Sequence, residues 1–457
     1  MIPESKNYTI VFIIILPIVL FTSSCKKYLD AKSQLSLEVP STIADLQAIL
    51  NQTSPMNKTY PDYVETATDD YYIPYALFTP LFSYPQFTLN YTWDPQAPNG
   101  DWEDLYAVVF DCNTVLDYLP KVTNDSSSEV SNQVKGAALF FRGYYFFETA
   151  FEFSPPYSQV NISNPYGIVL RLSSNVTDKS LRSNVGDSYN QILADLKEAT
   201  QLLPITTEFP TLPNRPAAFA ALARVYLAMS DYNNAGIYAD SCLKLYNTLM
   251  DYNNIDSTKY PFPLFNPEVI FHQEAPGEST LPESRACVDS ILYNTYELTD
   301  LRKKLFFKNN ASVPTAHSFY GGYFGKGNGA IFTGLTTDEM YLTRAECYAR
   351  NGNSTAAMLD MDTLLTKRYI TGTFSSLSIS DPNQLLEYIL LERRKELLFR
   401  GTRWADLKRL NLVPSTAITL TRNMNGTIST LPPNDLRYEM LIDANTISIA
   451  NIPQNPR

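Results

Sequence analysis

The sequence predicts a mostly α-helical protein, with a tetratricopeptide-like helical core interrupted by long irregular insertions. Three observations carry this. Apolar residues at Trp102, Leu105, Tyr106, Val109, Cys112, Leu116 and Leu119 follow i, i+3, i+4, i+7 spacing. Two segments, LARVYLAMSDYNNAGIYADSCLKLY from 222 and RAECYARNGNSTAAMLDMDTLLTKR from 344, align at an offset of 122 residues. Between such segments lie stretches rich in Pro, Tyr, Asn and Thr with no helical period.

The elements follow in chain order. Residues 9–22, TIVFIIILPIVLFT, are uncharged but shorter than the roughly 20 residues a membrane-spanning helix needs, so they read as a signal-peptide core. Thr22-Ser23-Ser24-Cys25 resembles a bacterial lipobox, in which the chain is cut before the cysteine and the thiol is lipidated. The expected organisation is a signal peptide over 1–24, a lipid anchor and tether over 25–40 with Cys25 as the lipidation site, and a single domain over 41–457. A lipid anchor supplies membrane affinity without a spanning helix.

Ser41-Thr42 is placed to cap a short amphipathic helix, IADLQAIL. Residues 51–100 read as loops and short elements. One helix starts at Asn99-Gly100-Asp101 and stops at Pro120; a second runs from about Ser131 to Phe153, before Pro155-Pro156. Helix pairs are expected at about 101–153, 214–247 and 337–369. In the repeat, Ala223 matches Ala345, Tyr226 matches Tyr348 and Ala235 matches Ala357. The turns fall at Ser230-Asp231 and Gly352-Asn353. Small residues let paired helices approach closely, the logic of a tetratricopeptide unit. Residues 154–185, 250–335 and 411–457 read as further insertions, with short hairpins.

One stretch stands apart in charge. Glu392 to Leu410, ERRKELLFRGTRWADLKRL, holds three acids and seven bases within a chain of net charge −11. Its spacing predicts a helix, a break and a second helix. Glu392 meets Lys395 at i+3 and Glu396 meets Arg400 at i+4. Gly401 permits a left-handed cap. The positive charge is expected to go into caps and ion pairs inside the fold; a clamp on an anionic ligand by Arg400 and Arg403 is the functional alternative.

These residues carry a resemblance. The signal ending in CKKYLD, the two repeat units, DLRKKLFF at 300–307, the 392–410 stretch and the NIPQNPR ending are similar to the SusD/RagB family of Bacteroidetes outer-membrane lipoproteins. The resemblance implies a SusD-like fold and a cell-surface nutrient-binding role. Such proteins capture an oligosaccharide, or in some cases a peptide, and deliver it to a partner SusC-like TonB-dependent transporter in the outer membrane. It implies no enzyme and no cofactor. A tetratricopeptide scaffold that binds only protein partners is the alternative.

Composition agrees with this and excludes others. Aromatics make up 13% of the chain, with 31 Tyr and 24 Phe, and stacking on a sugar's apolar face needs such rings. An acidic chain lacks the basic face that nucleic acid requires. Two histidines leave little for metal or triad chemistry, and no GxSxG or HExxH occurs. Cys112, Cys242 and Cys347 fall in helical patterns and read as buried free thiols. GKGNG at 325–329 lacks the order of a phosphate loop.

Two regions are candidates for ligand contact. The first, 68–78 with 91–102, offers Asp69, Asp70, Tyr71, Tyr72, Trp93 and Asn99. Trp93 is the foremost, its alternative being a residue that packs its loop onto the core. For Asp69 and Asp70 the alternative is a turn or cap, and calcium ligation by the pair lacks full ligand spacing. The second is HSFYGGYFGKGNG at 317–329, where glycines would expose Tyr320, Tyr323 and Phe324.

Overall fold

A computed structural model describes residues 39–122, 127–275, 281–324 and 330–457. The signal peptide, Cys25 and most of the tether lie outside the described residues, as does 325–329. The body described below begins at Thr42.

Helix α1, Ile43–Leu50, opens on a capping box: the Thr42 hydroxyl accepts the Asp45 N–H and the Asp45 carboxylate accepts the Thr42 N–H. Helices α2, Asp101–Tyr118, and α3, Ser128–Phe153, form the first antiparallel pair. From Ala138 to Phe153 every residue of α3 is buried, so this helix is central. Its polar groups therefore need partners. Arg142 forks onto Asp195 at 2.7 Å from both Nε and Nη2. Asp195 belongs to α4, Val185–Leu202, which packs along α3.

The remaining helices stack in sequence order: α5, Arg215–Ala228; α6, Tyr232–Leu245; α7, Thr337–Arg350; and α8, Ser354–Leu365. The 122-residue repeat is visible at atomic detail. Ser230 and Gly352 both adopt positive φ, at 58° and 79°. Asp231 and Asn353 then cap the second helix of each pair, accepting the N–H of Asn234 and Ala356. Ala223, Ala235, Ala345 and Ala357 are all fully buried where the helices meet. Helix α9, Pro382–Glu396, packs on α7, and α10, Arg403–Leu410, follows after a break.

The insertions carry short helices and two-stranded ribbons. Antiparallel pairs join β1, Tyr71–Tyr72, to β4, Cys287–Val288; β2, Val269–Phe271, to β8, Leu335–Thr336; and β3, Glu274–Ala275, to β7, Ile331–Phe332. Strand β5, Phe307–Asn309, pairs with β6, His317–Phe319. Strands β9, Leu420–Met424, and β10, Thr427–Leu431, form a hairpin over Asn425-Gly426, both at positive φ as a tight hairpin turn requires. The chain end is tied down: the buried Asn455 amide donates to the Phe153 and Met440 carbonyls.

Cys112, Cys242, Cys287 and Cys347 are free and buried, as periodicity predicts for the helical three. Trp102 is buried on α2 against Phe153, 5.1 Å between rings. No helix among the described residues is long and apolar enough to cross a membrane.

Candidate functional site: an aromatic face held by an arginine clamp

The charged stretch folds as a helix, a break and a helix. Lys395 reaches Glu392 at 2.6 Å, as i+3 spacing predicts. The expected Glu396–Arg400 pair does not form. Glu396 is taken by Arg302 at 2.9 Å and Arg368 at 2.6 Å, while the Arg400 guanidinium lies on the Tyr323 ring, 3.5 Å from its centroid. Two long-range arginines satisfy the buried Glu396, where an unpaired charge costs most, and Arg400 is left with the ring face and Asp338 at 3.9 Å. Arg302 also holds Asp300 at 2.7 Å and Glu392 at 2.6 Å, so DLRKKLFF and the 392–410 stretch meet in one buried network.

At the break, Gly401 adopts φ +70°, and a Cβ there would sit 2.4 Å from the Tyr60 hydroxyl. That hydroxyl donates to the Gly401 carbonyl at 2.5 Å. Beyond it, Asp406 accepts from both Arg393 and Arg409 at 2.8 Å. Burial raises the Asp406 pKa, but these two arginines outweigh it and hold the carboxyl at about 2. Lys408 donates to the Phe151 and Ser154 carbonyls. The positive charge is spent inside the fold.

Two of the arginines reach across to the first candidate region. Arg403 forks onto Asp69 at 2.7 and 2.8 Å; Arg394 bonds Asp70 at 3.0 Å and the Asp69 carbonyl at 2.9 Å. Despite burial, Arg403 and Arg394 hold the Asp69 carboxyl well below the usual range. Asp69 and Asp70 are thus corrected from ligand contacts to anchors, while Arg403 makes the internal ion pair expected of the stretch. With two guanidiniums beside them the aspartates are already neutralised, which removes the charge a calcium ion would need.

The anchor positions the backbone that follows. Asp289 N–H bonds the Asp70 carbonyl at 2.9 Å, and β1 pairs Tyr71 with Val288 and Tyr72 with Cys287. Tyr71 turns inward, between Tyr91 and Phe399, and donates to the Thr66 carbonyl. Tyr72 turns outward and is 39% exposed. Alternation along the strand separates the two.

Trp93 is corrected. It is 4% exposed, its indole N–H donates to the Ala67 carbonyl at 2.9 Å, and the Arg422 guanidinium covers its ring at 4.9 Å. No open face remains for a sugar, so Trp93 packs its loop onto the core. Asn99 is also internal: its amide donates to Glu152 at 2.6 Å and its oxygen accepts the Asp101 N–H, shaping the start of α2. Tyr323 is fully buried, donating to Glu268 at 2.6 Å beneath Arg400, and Phe324 is buried too. Of the second region Tyr320 stays at the surface, half-buried and stacked on Tyr260 at 5.4 Å and 14°.

Other exposed rings lie close by in the chain. Tyr75 (40%), Phe82 (56%) and Tyr84 (51%) follow Tyr72 in the chain, with Phe82 edge-on to Tyr75 and Phe78. Across β4, Asp289 caps the short helix Ser290–Asn294, which carries Tyr293. Tyr293 stacks on His317 at 3.6 Å and 13°. Strand β6, which carries His317, packs beside β4. One scaffold of β1, β4, β5 and β6 therefore connects Tyr72, Tyr293, His317 and Tyr320. Exposed Asn294 and Asn309 add amide donors and acceptors beside the rings. Tyr260 and Tyr293 lie outside both candidate stretches of the sequence, and their stacking on Tyr320 and His317 brings them into play.

Half-buried aromatic pairs flanked by amides, on a rigid helical body, describe a binding surface of the kind that takes ligands with both apolar faces and polar edges. Residues 27–227 match the SusD-like family model described as starch-binding associating with outer membrane, and residues 337–454 match the SusD family model. The chain belongs to the SusD/RagB family. SusD-like protein P2 of Formosa agariphila is 23% identical, over 68% of this chain and 71% of that one. A SusD superfamily structure from Bacteroides thetaiotaomicron superposes with TM-score 0.75 at 22% identity, covering 91% of this chain and 100% of its own. A SusD-like carbohydrate binding protein from Bacteroides vulgatus gives 0.67 at 21%, covering 90% and 97%. The mostly helical, tetratricopeptide-like fold is the fold of these structures.

Proposed function

We propose that the protein is a cell-surface lipoprotein, anchored through Cys25, that captures an oligosaccharide on its aromatic face and delivers it to a TonB-dependent outer-membrane transporter. The observation that carries the reading is the surface of stacked and exposed rings (Tyr72, Tyr75, Phe82, Tyr84, Tyr293–His317 and Tyr260–Tyr320) on a scaffold fixed by the Arg394–Arg403 clamp. Exposed aromatic clusters of this size mark interaction sites. The family description, starch-binding associating with outer membrane, supports a carbohydrate as the ligand and the outer membrane as the location.

The role is binding without catalysis. Near the face, Asp69, Asp70 and Asp289 are held in ion pairs by Arg394 at 3.1, 3.0 and 3.7 Å, which supports a structural part for these three carboxylates. The helical stack exposes Ile237 on α6 and Leu359 on α8, and we assign this side to the transporter. The same exposure is what a protein-only scaffold would use.

The test is a titration of the purified full-length chain in detergent with oligosaccharides and with peptides, read by melting temperature. A binding protein gains stability from its ligand by linkage. Stabilisation by an oligosaccharide class, lost in Tyr293→Ala, supports the reading. Stabilisation by peptides alone would change the ligand, and a response to neither would favour the scaffold.

A further inference from the structure

We infer that the oligosaccharide taken by this face is anionic, carrying carboxylate or sulfate groups; the inference rests on the proposed function above. The starting point is the placement of three lysines. In a chain of net charge −11, Lys303, Lys304 and Lys308 fall within six residues on the segment that leads into and forms β5. Lys308 is exposed, and its Nζ lies 4.3 Å from the centroid of Tyr320 and 5.5 Å from that of Tyr260, the two rings that stack on each other. Lys303 Nζ lies 4.9 Å from the centroid of Tyr293, the ring that stacks on His317. Each stacked pair thus has its own ammonium.

These three cations lack the carboxylate partners that their neighbours in the 392–410 stretch have. In the adjoining 392–410 stretch Arg393, Arg394, Lys395, Arg403 and Arg409 all pair with carboxylates. Lys303, Lys304 and Lys308 make no carboxylate ion pair among the described residues. Lys303 gives one proton to the Tyr296 carbonyl at 2.8 Å, which fixes its position and leaves two donors. Of the acids in the neighbourhood, Asp289 is taken by Arg394, and Glu283 is taken by the Tyr320 phenol.

An ammonium at a ring's side is attracted by its π-face and keeps the rest of its shell in water. A sugar laid along the exposed edge of the same aromatic pair brings its ring substituents to that ammonium. A hydroxyl there gains little over water. A carboxylate or sulfate gains a charge-assisted bond, and the lysines also draw an anionic chain toward an otherwise acidic protein. The two pairs sit at opposite ends of β6, His317 by the turn and Tyr320 just past the strand, and the odd offset turns them to opposite faces of the ribbon, so each pair with its lysine is a separate subsite.

The experiment titrates the full-length chain in detergent with three sets of oligosaccharides of matched length: a neutral glucan, a polyuronate and a sulfated galactan. Each set is measured at low and high salt, with wild type and with Lys303→Gln/Lys308→Gln. Melting temperature of the unliganded variant checks its fold. The inference predicts that at least one anionic set binds about tenfold or more tighter than the glucan, and that high salt and the double variant each remove most of that preference. Which anionic set binds separates carboxylate from sulfate. Glucan binding as tight as either anionic set, or an anionic preference that the double variant keeps, would overturn the inference and leave the proposed function standing. No binding to any of the three would overturn both.

Discussion

Arg403 donates two parallel hydrogen bonds to the Asp69 carboxylate, 2.7 Å from Nε and 2.8 Å from Nη2, across 334 positions of the chain. This fork ties the first turn of α10 to the ribbon that presents Tyr72. With Arg394 on Asp70 it forms the hinge pin between the helical body and the aromatic face. Replacing Arg403 by Ala leaves Asp69 beside a single arginine and is expected to destabilise the protein by about 2–4 kcal/mol, as for a largely buried pair that loses one partner. Arg403→Lys keeps the charge but not the fork and should fall between. Urea unfolding at constant m checks both; a loss below measurement error for Arg403→Ala would remove the clamp from the account.

Trp93 and Tyr72 should separate stability from binding. Trp93→Ala empties a buried site and is expected to cost about 3–5 kcal/mol. Tyr72→Ala removes a ring that is 39% exposed and should change stability by no more than about 0.5 kcal/mol while weakening oligosaccharide binding. Thermal denaturation and ligand titration of the two variants check this.

Gly401 sits at positive φ with the Tyr60 hydroxyl in the space a Cβ would fill. Gly401→Ala therefore strains the backbone and displaces the hydroxyl from its bond to the Gly401 carbonyl. The expected loss is more than about 1 kcal/mol. Pairing it with Tyr60→Phe removes only the hydroxyl's share of the clash, since the ring carbon Cζ, 2.7 Å from that Cβ, remains.

The pH dependence has two limbs. Asp406 sits at about 2 when folded, below its unfolded value of roughly 3.9. Its contribution is present above pH 4 and is lost as pH falls toward 2. Glu65 moves oppositely. Burial, followed by the charges of Asp70 and Asp69, raises it to about 8, and its Oε1 has no partner. The folded state holds this proton more tightly than the unfolded chain, so stability falls as pH rises from roughly 4.3 through 8. Glu65→Gln mimics the neutral form and should raise the melting temperature at pH 9 by more than at pH 5. Equal effects at both would place the charged carboxylate in the fold.

Local signals in the sequence were reliable for the helices and poor for the site. The repeat at 222 and 344, its turns and its alanines are set by contacts within a few residues, and they reappear as matching caps and buried alanines. Gly401 and the Glu392–Lys395 pair are equally local. Trp93, Asp69 and Arg400 were misread because their partners lie far along the chain. Arg422 covers Trp93, Arg403 takes Asp69, and Tyr323 underlies Arg400. A Trp in a Pro-rich loop looks available until a distant arginine closes over it. Tyr72 and Tyr320 do stay at the surface, at a strand and just past one, and the rings beside them, Tyr293 and Tyr260, come from segments with no period at all.

The measurement that tests the central claim most directly is a crystal structure of the chain with a bound oligosaccharide of the class that stabilises it. The account predicts sugar rings stacked on Tyr293–His317 or Tyr260–Tyr320 and near Tyr72, with Trp93 still covered by Arg422. Sugar found instead in the cleft of about 420 Å³ between Pro155–Pro156 and Leu436–Glu439, with the aromatic face bare, would contradict it.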